Sequence, residues 1–538
     1  YFDTRDQWLG GSGLAAGLFR HFGLLREGPF HPDQPLIFAI GPLTGYFPLM
    51  SKTVLGFMSP YTCQFTESHA GGRSALALKF AGYDALVIKG RAENPVCLGL
   101  GSQQIHIQDA HFLRGMDIYS TGRHLRSLKP RDPGHRSILR IGPAGENLVS
   151  YACINVDTYR HFGRMGGGAA MGAKNLKGII LSGDGHLDLD PGMTKQYNRI
   201  YDEIYSTVVQ SGAMRKYHDL GTAENLIPLN ELKALPWRNM QSTHDPDVEA
   251  VSGERFARDH LLRQVACAGC PVGCIHIGLL RERFGEEHEF LYRQVSYDYE
   301  PIFAMGTMLG ITSVPEVLTL LEDVDRLGLD VISAGGALAW ATEALDKGII
   351  TREEALARLE FGDLQAYREG LEHIAHQSNA FYRALAQGTL VAAKEYGGED
   401  FACVLGQEMA GYATGENYFV GQALGFRHSH LDTGAYGYDQ QDNARDVQGA
   451  IDFLQEQESY RVLMSSMCGC LFGRKAYPRE TILRALNSLG YDYDQESLRE
   501  TVENIKCLRW ALKFETGFQP EEVRIPSRFL ETETWKGG

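Results

Sequence analysis

Three cysteines spaced two and then three residues apart form the most informative motif of the chain: Cys267, Cys270 and Cys274. In a glycine- and proline-containing loop, this spacing lets three thiolates face one point, which is the geometry of a soft metal centre. A fourth thiolate from Cys470 or Cys468, far downstream, would complete the ligands of an iron–sulfur cluster. Structural zinc usually takes two close pairs of ligands within one short module, so the pattern favours the cluster over zinc. Buried free thiols are the third alternative.

Two further segments carry residues that are able to move protons. Glu300 ends an aromatic and acidic run, and we expect a partly buried carboxylate with a raised pKa. An ordinary ion-paired glutamate is the alternative. Residues 426–432 hold Arg427, His428, His430 and Asp432. Histidine suits proton transfer near neutral pH, while a metal site and a purely structural role stay open.

Glycine is dense in residues 70–73 and 163–172, the second of which includes Arg164. Such segments let the backbone approach a ligand closely and present N–H groups to anionic oxygens, and Arg164 and Lys174 add positive charge. Phosphate is therefore one predicted guest. Neither segment has P-loop or dinucleotide spacing after a strand, so tight turns or close packing explain them equally well.

Composition limits the class of protein. The chain has 538 residues, of which 43% are hydrophobic and 22% charged, so it is able to bury a large core. Its net charge of -15 argues against a nucleic-acid partner. No apolar run reaches the roughly eighteen residues of a membrane span, and no signal-peptide pattern is present. The chain does not begin with Met, so we expect its true start to be missing.

The ten cysteines are too sparse for a disulfide scaffold in so long a chain. Four of them occur in apolar contexts and are predicted to be reduced core thiols: Cys97, Cys153, Cys403 and Cys507. Reduced thiols indicate a reducing compartment, and we therefore expect a cytoplasmic protein.

The pattern of apolar residues changes along the chain and predicts an α+β fold. Short runs bounded by turn residues indicate strands at 36–40, 85–90, 96–100, 105–107, 137–142 and 178–181. Helical periodicity dominates later, with one helix from Ser313 to Gly328 and another from Ser333 to Gly348. We predict a β-rich domain over residues 1–188 and two mainly α-helical domains over 189–397 and 398–538.

Several segments together resemble the tungsten-containing aldehyde ferredoxin oxidoreductase family over nearly the whole chain. The matching segments are residues 8–14, 41–45, 78–84, 141–149, 171–177 and the cysteine motifs. The resemblance implies a two-layer β-sheet domain that binds a bis-pterin cofactor holding tungsten (or molybdenum), followed by two helical domains. It also implies a four-iron four-sulfur cluster on Cys267, Cys270, Cys274 and Cys470, and magnesium bridging the pterin phosphates.

The resemblance further implies two pterin-binding motifs of the form Asp-x-x-Gly-Leu-x. The first is residues 325–330, and the second is altered to residues 465–470, without its Asp and with its Gly displaced. Lys52 stands where the family commonly has an Arg, and Leu431 stands at the family's histidine position, so we choose the adjacent His430. The expected cofactor-binding residues are Lys52, His69, Gly71, Arg164, Met165, Asp325, Gly328, Leu329 and Gly469.

The function implied by the resemblance is oxidation of an aldehyde to a carboxylic acid. Electrons would pass through the cluster to a ferredoxin-like acceptor or an iron–sulfur subunit, in a homodimer or a hetero-oligomer. Glu300 would take a proton from the attacking water, and His430 would orient or polarise the carbonyl. Two alternatives stay open: a low-potential reductase of an aromatic thioester, and an inactive electron-relay subunit, which the altered second motif suggests.

Overall fold

Two β-sheets packed face to face form the N-terminal part of the chain in the computed structural model, which describes residues 5–102, 104–128, 134–284, 289–441 and 446–535. The first sheet is antiparallel, in the order β3-β2-β1-β4. Its strands are β1 Leu36–Ala39, β2 Thr53–Met58, β3 Phe65–Ala70 and β4 Ala85–Ile88.

The second sheet has six strands in the order β6-β5-β10-β7-β8-β9. Strands β5 and β10 run parallel, and the other pairs are antiparallel. Its strands are β5 Val96–Gly101, β6 Gln104–Asp109, β7 His135–Arg140, β8 Ile154–Val156, β9 Arg160–Phe162 and β10 Leu176–Gly183.

One hydrophobic core fills the space between the two sheets. Phe38 and Leu55 from the first sheet pack with Leu139, Phe162 and Ile179 from the second, and all are buried. Alternate side chains of the inner strands β1 and β10 face this core, as expected for a two-layer arrangement. The predicted α+β fold with an N-terminal two-layer domain is confirmed.

Strand β3 is not predicted by the pattern of apolar residues, because it buries polar residues. Its Glu67 accepts hydrogen bonds from Arg509 (2.7 Å, Nε to Oε1) and from Ser12 (2.7 Å, Oγ to Oε2). A buried carboxylate is tolerated when such partners satisfy it. The partners come from elements far away in sequence, so no local pattern predicts this strand.

A third, antiparallel sheet lies in the region where helical periodicity dominates the sequence. It consists of β11 Leu261–Val265, β12 Ile275–Arg283 and β13 Phe290–Tyr297, with β12 in the centre. The segment that connects β11 to β12 carries the first three cysteines of the motif. The sheet therefore anchors both ends of the cysteine loop.

Helices account for most of the remaining chain. In the N-terminal part they are α1 Arg5–Trp8, α2 Gly11–Phe22, α3 Ser74–Phe80, α4 Ile118–Leu128, α5 Pro143–Glu146 and α6 Gly167–Gly172. The middle part contains α7 Thr194–Gln210, α8 Gly212–Asp219, α9 Leu226–Glu231, α10 Gly253–His260, α11 Tyr299–Met305, α12 Val314–Leu327, α13 Val331–Asp346, α14 Arg352–Ala355, α15 Leu364–His376, α16 Ala380–Leu385 and α17 Thr389–Tyr396. The last part contains α18 Glu416–Ala423, α19 Ala435–Tyr438, α20 Val447–Ser466, α21 Arg479–Asn487, α22 Gln495–Glu515 and α23 Arg528–Glu531.

Two helical cores surround the sheets. The larger contains α11, α12 and α13 together with residues 401–423, and the second joins α7 and α8 to α20, α21 and α22. Each core thus mixes residues from both sides of position 398, while the domain borders near 188 and 398 stay predictions. Among the described residues no single helix is both long and apolar enough to cross a membrane, although the bent pair Tyr299–Leu309 and Val314–Leu327 passes that test jointly.

Two local predictions need correction. Helix α13 begins at Val331 with Asp330 as its N-cap, because the Asp330 carboxylate accepts from the Ile332 and Ser333 N–H groups, so Ser333 lies inside the helix. Cys507 is exposed, since it lies on the solvent face of α22, whereas Cys97, Cys153 and Cys403 are buried. All ten cysteines are free thiols.

Helix α6 packs against α5 so closely that a side chain has no room at the contact. A Cβ atom at Gly172 would lie 2.0 Å from the Gly145 carbonyl oxygen. We therefore expect Gly172→Ala to destabilise the protein by about 1–3 kcal/mol, seen as a lower melting temperature. Gly212→Ala is the matched control, because a Cβ at this position would have no atom within 4 Å and the melting temperature should not fall. Equal melting temperatures for the two variants would contradict this packing argument.

Candidate active site

The cysteine loop between β11 and β12 is held in a compact turn. Gly269 and Gly273 adopt left-handed conformations (φ 67° and 68°), which a residue with a side chain rarely adopts. The Cys270 N–H donates to the Cys267 carbonyl oxygen at 3.2 Å. The thiols of Cys267, Cys270 and Cys274 in this loop interact electrostatically with one another.

Cys470 joins this group through one residue of the β domain. Leu49 donates its N–H to the Gly269 carbonyl in the cysteine loop (3.3 Å) and accepts from the Cys470 N–H (3.0 Å). The Cys470 thiol then lies close enough to interact electrostatically with Cys270 and Cys274. Cys468 is separate from this group, with 1% of its surface exposed and its Sγ directed at the Ala39 carbonyl.

The surroundings of the four thiols suit negatively charged sulfur. The Arg160 guanidinium donates to Cys267, and the Val272 and Gly273 N–H groups donate to Cys270. Burial raises the pKa of Cys270 to about 11 and of Cys274 to about 12. To bind a metal as thiolates, these cysteines therefore need donors that stabilise their negative charge. Within the described ranges no three His, Cys, Asp or Glu side chains gather tightly enough for a single metal ion.

The first Asp-x-x-Gly-Leu-x motif forms the end of α12. Gly328 adopts φ 77°, its N–H donates to Asp325 O (3.0 Å), and the Leu329 N–H donates to Val324 O (3.1 Å). This is a Schellman helix ending. The motif is then tied to the β domain, because Cys153 N–H donates to Gly328 O and Asp330 N–H donates to Tyr151 O, each at 2.9 Å.

The altered second motif keeps the same backbone shape. At the end of α20, Cys468 adopts φ 57°, its N–H donates to Ser465 O (3.1 Å), and the Gly469 N–H donates to Met464 O (2.8 Å). Lys52 N–H donates to Cys468 O and Cys470 N–H donates to Leu49 O, each at 3.0 Å. The fold therefore maintains this helix ending with Cys468 in the position that favours glycine.

Each of these helix endings contacts a glycine of the β domain. A Cβ on Gly142 would lie 2.3 Å from Leu327 O, and a Cβ on Gly41 would lie 2.3 Å from Met467 O. Both glycines precede a proline, Pro143 and Pro42. The two motifs thus lie on equivalent parts of the β domain, each with its backbone in direct contact with glycine.

Arg164 links the β domain to the first motif and carries an unused donor. Its Nε donates to Asp330 Oδ2 (3.2 Å) and its Nη2 to Glu408 O (2.8 Å). Its Nη1 and the Glu408 Oε2 are buried without hydrogen-bond partners in the described part of the chain. Because a buried donor without a partner is destabilising, Arg164 Nη1 fits an anionic ligand group at this place.

Lys52 and His69 lie in a second charged cluster, beside the second motif. His69 bonds to Glu67 Oε2 through Nε2 (3.1 Å) and to Arg427 Nη1 through Nδ1 (3.3 Å). Burial and the charges of Arg427 and Lys52 lower the pKa of His69 to about 4, although Glu67 opposes them. His69 is therefore neutral at neutral pH, and the Lys52 ammonium forms no ion pair with any residue that the structure describes.

The remaining predicted cofactor residues have different surroundings. Gly71 lies against the cysteine loop, where a Cβ would be 2.7 Å from Cys267 Sγ. The Met165 side chain is buried in the core between the two sheets, so only its backbone is able to reach a ligand. The Lys174 ammonium donates to Pro32 O (2.7 Å), which gives it a structural contact. Gly469 contacts Met464 and Met50.

The predicted acid–base pair is assembled by the fold. Glu300, in the first turn of α11, lies 3.2 Å from His430 (Oε1 to Nε2) and accepts a hydrogen bond from the Tyr412 hydroxyl (2.9 Å) on the same oxygen. His430 Nδ1 is buried and has no hydrogen-bond partner within the described residues. One carboxylate oxygen and one imidazole nitrogen are thus left for a ligand.

The expected raised pKa of Glu300 is wrong. Burial acts to raise it, but the hydrogen bond and charge of His430, with the Tyr412 hydroxyl, outweigh burial and hold the pKa of Glu300 below its ordinary value. Asp298 is the raised carboxyl instead. Burial and the Glu300 charge raise the pKa of Asp298 to about 7, against the opposing charges of Arg160 and His161.

A cavity of about 110 Å³ connects the cysteine loop with the first motif. Its lining includes Cys274, Asp298, Arg160, Asp325 and Asp330. The Asp325 carboxylate pairs with His161 (2.9 Å) on this wall. The cysteine loop, the first motif and the Asp298 carboxylate therefore lie around the same cavity.

Sequence reasoning misses three residues of this site: Arg160, Asp298 and Tyr412. Arg160 and Asp298 have no motif of their own, although Asp298 stands two residues before Glu300 in the same acidic segment. Tyr412 lies far from Glu300 in sequence, and its contact arises only when the loop after α17 folds over α11. The sequence feature that could have predicted Asp298 as a site residue is the presence of a second acidic residue close to Glu300 in an aromatic run.

Comparison with known proteins gives a consistent result. Residues 2–183 match the family described as "Aldehyde ferredoxin oxidoreductase, N-terminal domain", and residues 199–538 match "Aldehyde ferredoxin oxidoreductase, domains 2 & 3". The tungsten-containing aldehyde ferredoxin oxidoreductase of Pyrococcus furiosus is 32% identical over 98% of this chain and 88% of its own length.

Two other similar proteins are parts of assemblies by their descriptions. The WOR-like subunit of an aliphatic sulfonate oxidoreductase from Pyrococcus furiosus is 32% identical over 73% of this chain and 63% of its own length. A solved structure, the active site complex BamBC of benzoyl coenzyme A reductase with 1,5-dienoyl-CoA, shares the fold with a TM-score of 0.82. That similarity covers 98% of this chain and 87% of the other, at 20% identity.

The positions of Cys468 and Cys470 predict different effects of substitution. Cys470→Ala should remove the visible absorbance of the predicted iron–sulfur cluster, because the Cys470 thiol is the one that interacts with Cys270 and Cys274. Cys468→Ala should keep most of that absorbance, since its thiol is buried against Ala39. Absorption spectra and iron content of anaerobically purified protein measure both. Loss of the cluster from Cys468→Ala alone would reverse the assignment.

Proposed function

Because the chain belongs to the aldehyde ferredoxin oxidoreductase family, we propose that it is a tungsten (or molybdenum) bis-pterin oxidoreductase that converts an aldehyde into a carboxylic acid. The balanced reaction takes one aldehyde and one water and yields one carboxylic acid, two protons and two electrons. Two one-electron acceptors of the ferredoxin type would each take one electron. The observation that carries this proposal is the partly buried contact of Glu300 with His430 and Tyr412.

The chain offers fitting residues for both cofactors. Cys267, Cys270, Cys274 and Cys470 would hold the four-iron four-sulfur cluster. Arg164 Nη1, buried without a partner in the described residues, and Lys52, with the backbones of the two helix endings, would hold the pterins. When bound, the metal bis-pterin supplies the two-electron chemistry and the cluster carries single electrons away. Magnesium between the pterin phosphates stays a prediction.

Glu300 is suited to take the proton of the attacking water. Its lowered pKa keeps it ionised at neutral pH. His430 and Tyr412 both contact Oε1, which leaves Oε2 to accept the proton. When His430 is protonated, its Nδ1–H donates to the carbonyl oxygen of the substrate and orients it. The Tyr412 hydroxyl and His430 Nε2 keep the carboxylate in place.

The altered second motif does not favour the inactive-relay alternative. Its backbone keeps the Schellman hydrogen bonds and the ties to Leu49 and Lys52. An active enzyme with two pterins is therefore our preferred hypothesis. Since the descriptions of similar proteins include a subunit and an active site complex, a hetero-oligomer with an iron–sulfur subunit is preferred to a homodimer.

Enzyme assays under anaerobic conditions test the function directly. We expect protein with full metal content to oxidise at least one member of a panel of aliphatic and aromatic aldehydes, with a viologen dye as the one-electron acceptor. Tungsten or molybdenum near one per chain, with about four irons, should accompany activity. Full metal content with no aldehyde oxidised, but reduction of an aromatic thioester by a low-potential donor, would support the reductase alternative.

Glu300→Gln should lower turnover by about 100-fold or more, because it removes the base but keeps the volume and a hydrogen-bond acceptor. Metal content and melting temperature should stay near wild type. In the unsubstituted enzyme, kcat/KM should fall with decreasing pH at an apparent pKa below the ordinary pKa of glutamate, because the pKa of Glu300 is lowered. His430→Asn should reduce turnover less if it only orients the substrate.

Glu203→Gln serves as the matched control, because Glu203 pairs with Arg484 on the surface. It should turn over at the wild-type rate. A Glu300→Gln variant with wild-type turnover would remove the proposed base from the mechanism, whereas equal losses of metal content and activity would make Glu300 a structural residue.

A further inference from the structure

A groove of about 690 Å³ lies between the six-stranded sheet and the three-stranded sheet, away from the Glu300 pair. Five arginines line it, and we name it the arginine groove: Arg73, Arg126, Arg136, Arg160 and Arg263. Among the described residues that line it, the only carboxylate is Asp157. This concentration of positive charge contrasts with the net charge of -15 of the whole chain.

The arginines of the groove differ in their surroundings, because Arg73 interacts electrostatically with Asp157 and Arg160 with Asp298. The Asp157 carboxylate also accepts hydrogen bonds from the backbone N–H groups of Ile138 and Arg73, at 3.1 and 3.2 Å. The Arg126 guanidinium donates to the hydroxyl of Thr158 (3.3 Å), which is neutral. Arg263 donates to the amide oxygen of Gln294 (2.9 Å). Neither Arg126 nor Arg263 forms an ion pair within the described ranges, so both guanidinium charges are available to a partner.

The start of the cysteine loop lines one side of the groove. Val265 and Ala266, which precede Cys267, line it, and Gly72 in its wall accepts a hydrogen bond from Ala268 N–H (2.9 Å). Arg160 lines the groove and donates to the Cys267 thiol. A molecule in the groove would therefore be one layer of residues from the proposed cluster.

The rim of the groove has the residue types of a protein interface. Arg73, Arg126 and Arg263 are exposed. Beside the groove, Tyr292 lies on the same face of β13 as the lining residue Gln294, and 61% of its surface is exposed. Arginine and tyrosine are enriched in the centres of protein interfaces, and charge complementarity increases the rate of association. These features favour a protein partner over a small anion.

We propose that the arginine groove is the docking site of an acidic iron–sulfur electron carrier. This inference rests on the proposed function, because it assigns the place where electrons leave the cluster held by Cys267. One electron would pass from the reduced cluster to the oxidised cluster of the carrier at each encounter. The acidic surface of the carrier would meet Arg126 and Arg263 and bring its cluster close to the cysteine loop.

Charge reversal at the rim tests the docking site. In Arg126→Glu/Arg263→Glu, kcat/KM for an acidic bacterial two-cluster ferredoxin should fall about 10-fold or more at low ionic strength, because steering is lost. Its dependence on salt should also flatten. The rate with a viologen dye should not change, since the small cationic dye does not need the groove. Iron content should equal that of the wild type.

A matched control reverses two arginines outside the groove. Arg358 and Arg499 are exposed and pair with Glu360 and Glu496. Arg358→Glu/Arg499→Glu changes the net charge equally and should keep the wild-type kcat/KM with ferredoxin. Equal ferredoxin kinetics in both double variants would overturn the proposal. A parallel loss of the viologen rate in the groove variant would also overturn it, by showing damage to the cluster.

Direct binding separates this proposal from the aldehyde hypothesis. If no aldehyde is oxidised with viologen, the proposed function fails, but calorimetry at low salt still measures ferredoxin binding to the cluster-loaded protein. Binding that is lost only in the groove variant supports the docking site. Wild-type protein that binds no ferredoxin, or that binds inorganic pyrophosphate in the groove instead, would overturn it.

Discussion

The contact between two helix endings and the backbone of the β domain is the constraint on which the site depends. Helices α12 and α20 each end in a left-handed residue, Gly328 and Cys468, and each ending is tied to the sheet layer by a pair of backbone hydrogen bonds. Gly41 and Gly142 permit this approach because any Cβ there would overlap a carbonyl group. Backbone contacts of this kind fix position without depending on the identity of most side chains.

This constraint explains how an altered motif keeps its shape. A residue with a side chain in the left-handed region is disfavoured by the order of 1–3 kcal/mol, so Cys468 is maintained by its surroundings. Those surroundings also place Cys470, because Leu49 bonds to Cys470 and to the cysteine loop. The proposed fourth ligand thus depends on the same contact as the second helix ending.

Charge compensation is the second feature of the site. The site gathers acidic groups, with four thiols, Asp298 and Glu300 close together, and the fold sets specific donors against them. Arg160 donates to Cys267, and His430 and Tyr412 hold Glu300. As a result the two neighbouring carboxyls differ, with the pKa of Glu300 lowered and that of Asp298 raised to about 7. Such separation of pKa values is typical of sites that transfer protons.

The sequence by itself determined part of the secondary structure and most of the residues that are able to do chemistry. Periodicity predicted strands β1, β4, β5, β6, β7 and β10 of the two-layer domain but missed β2, β3, β8 and β9. Motifs and the family resemblance predicted the cysteines, Glu300 and His430. Tertiary structure alone decided which of these residues meet, because Cys470, Tyr412 and Arg509 reach their partners from distant segments. It also decided the direction of the pKa of Glu300, since burial and hydrogen bonding act in opposite senses and only the positions of His430 and Tyr412 fix which prevails.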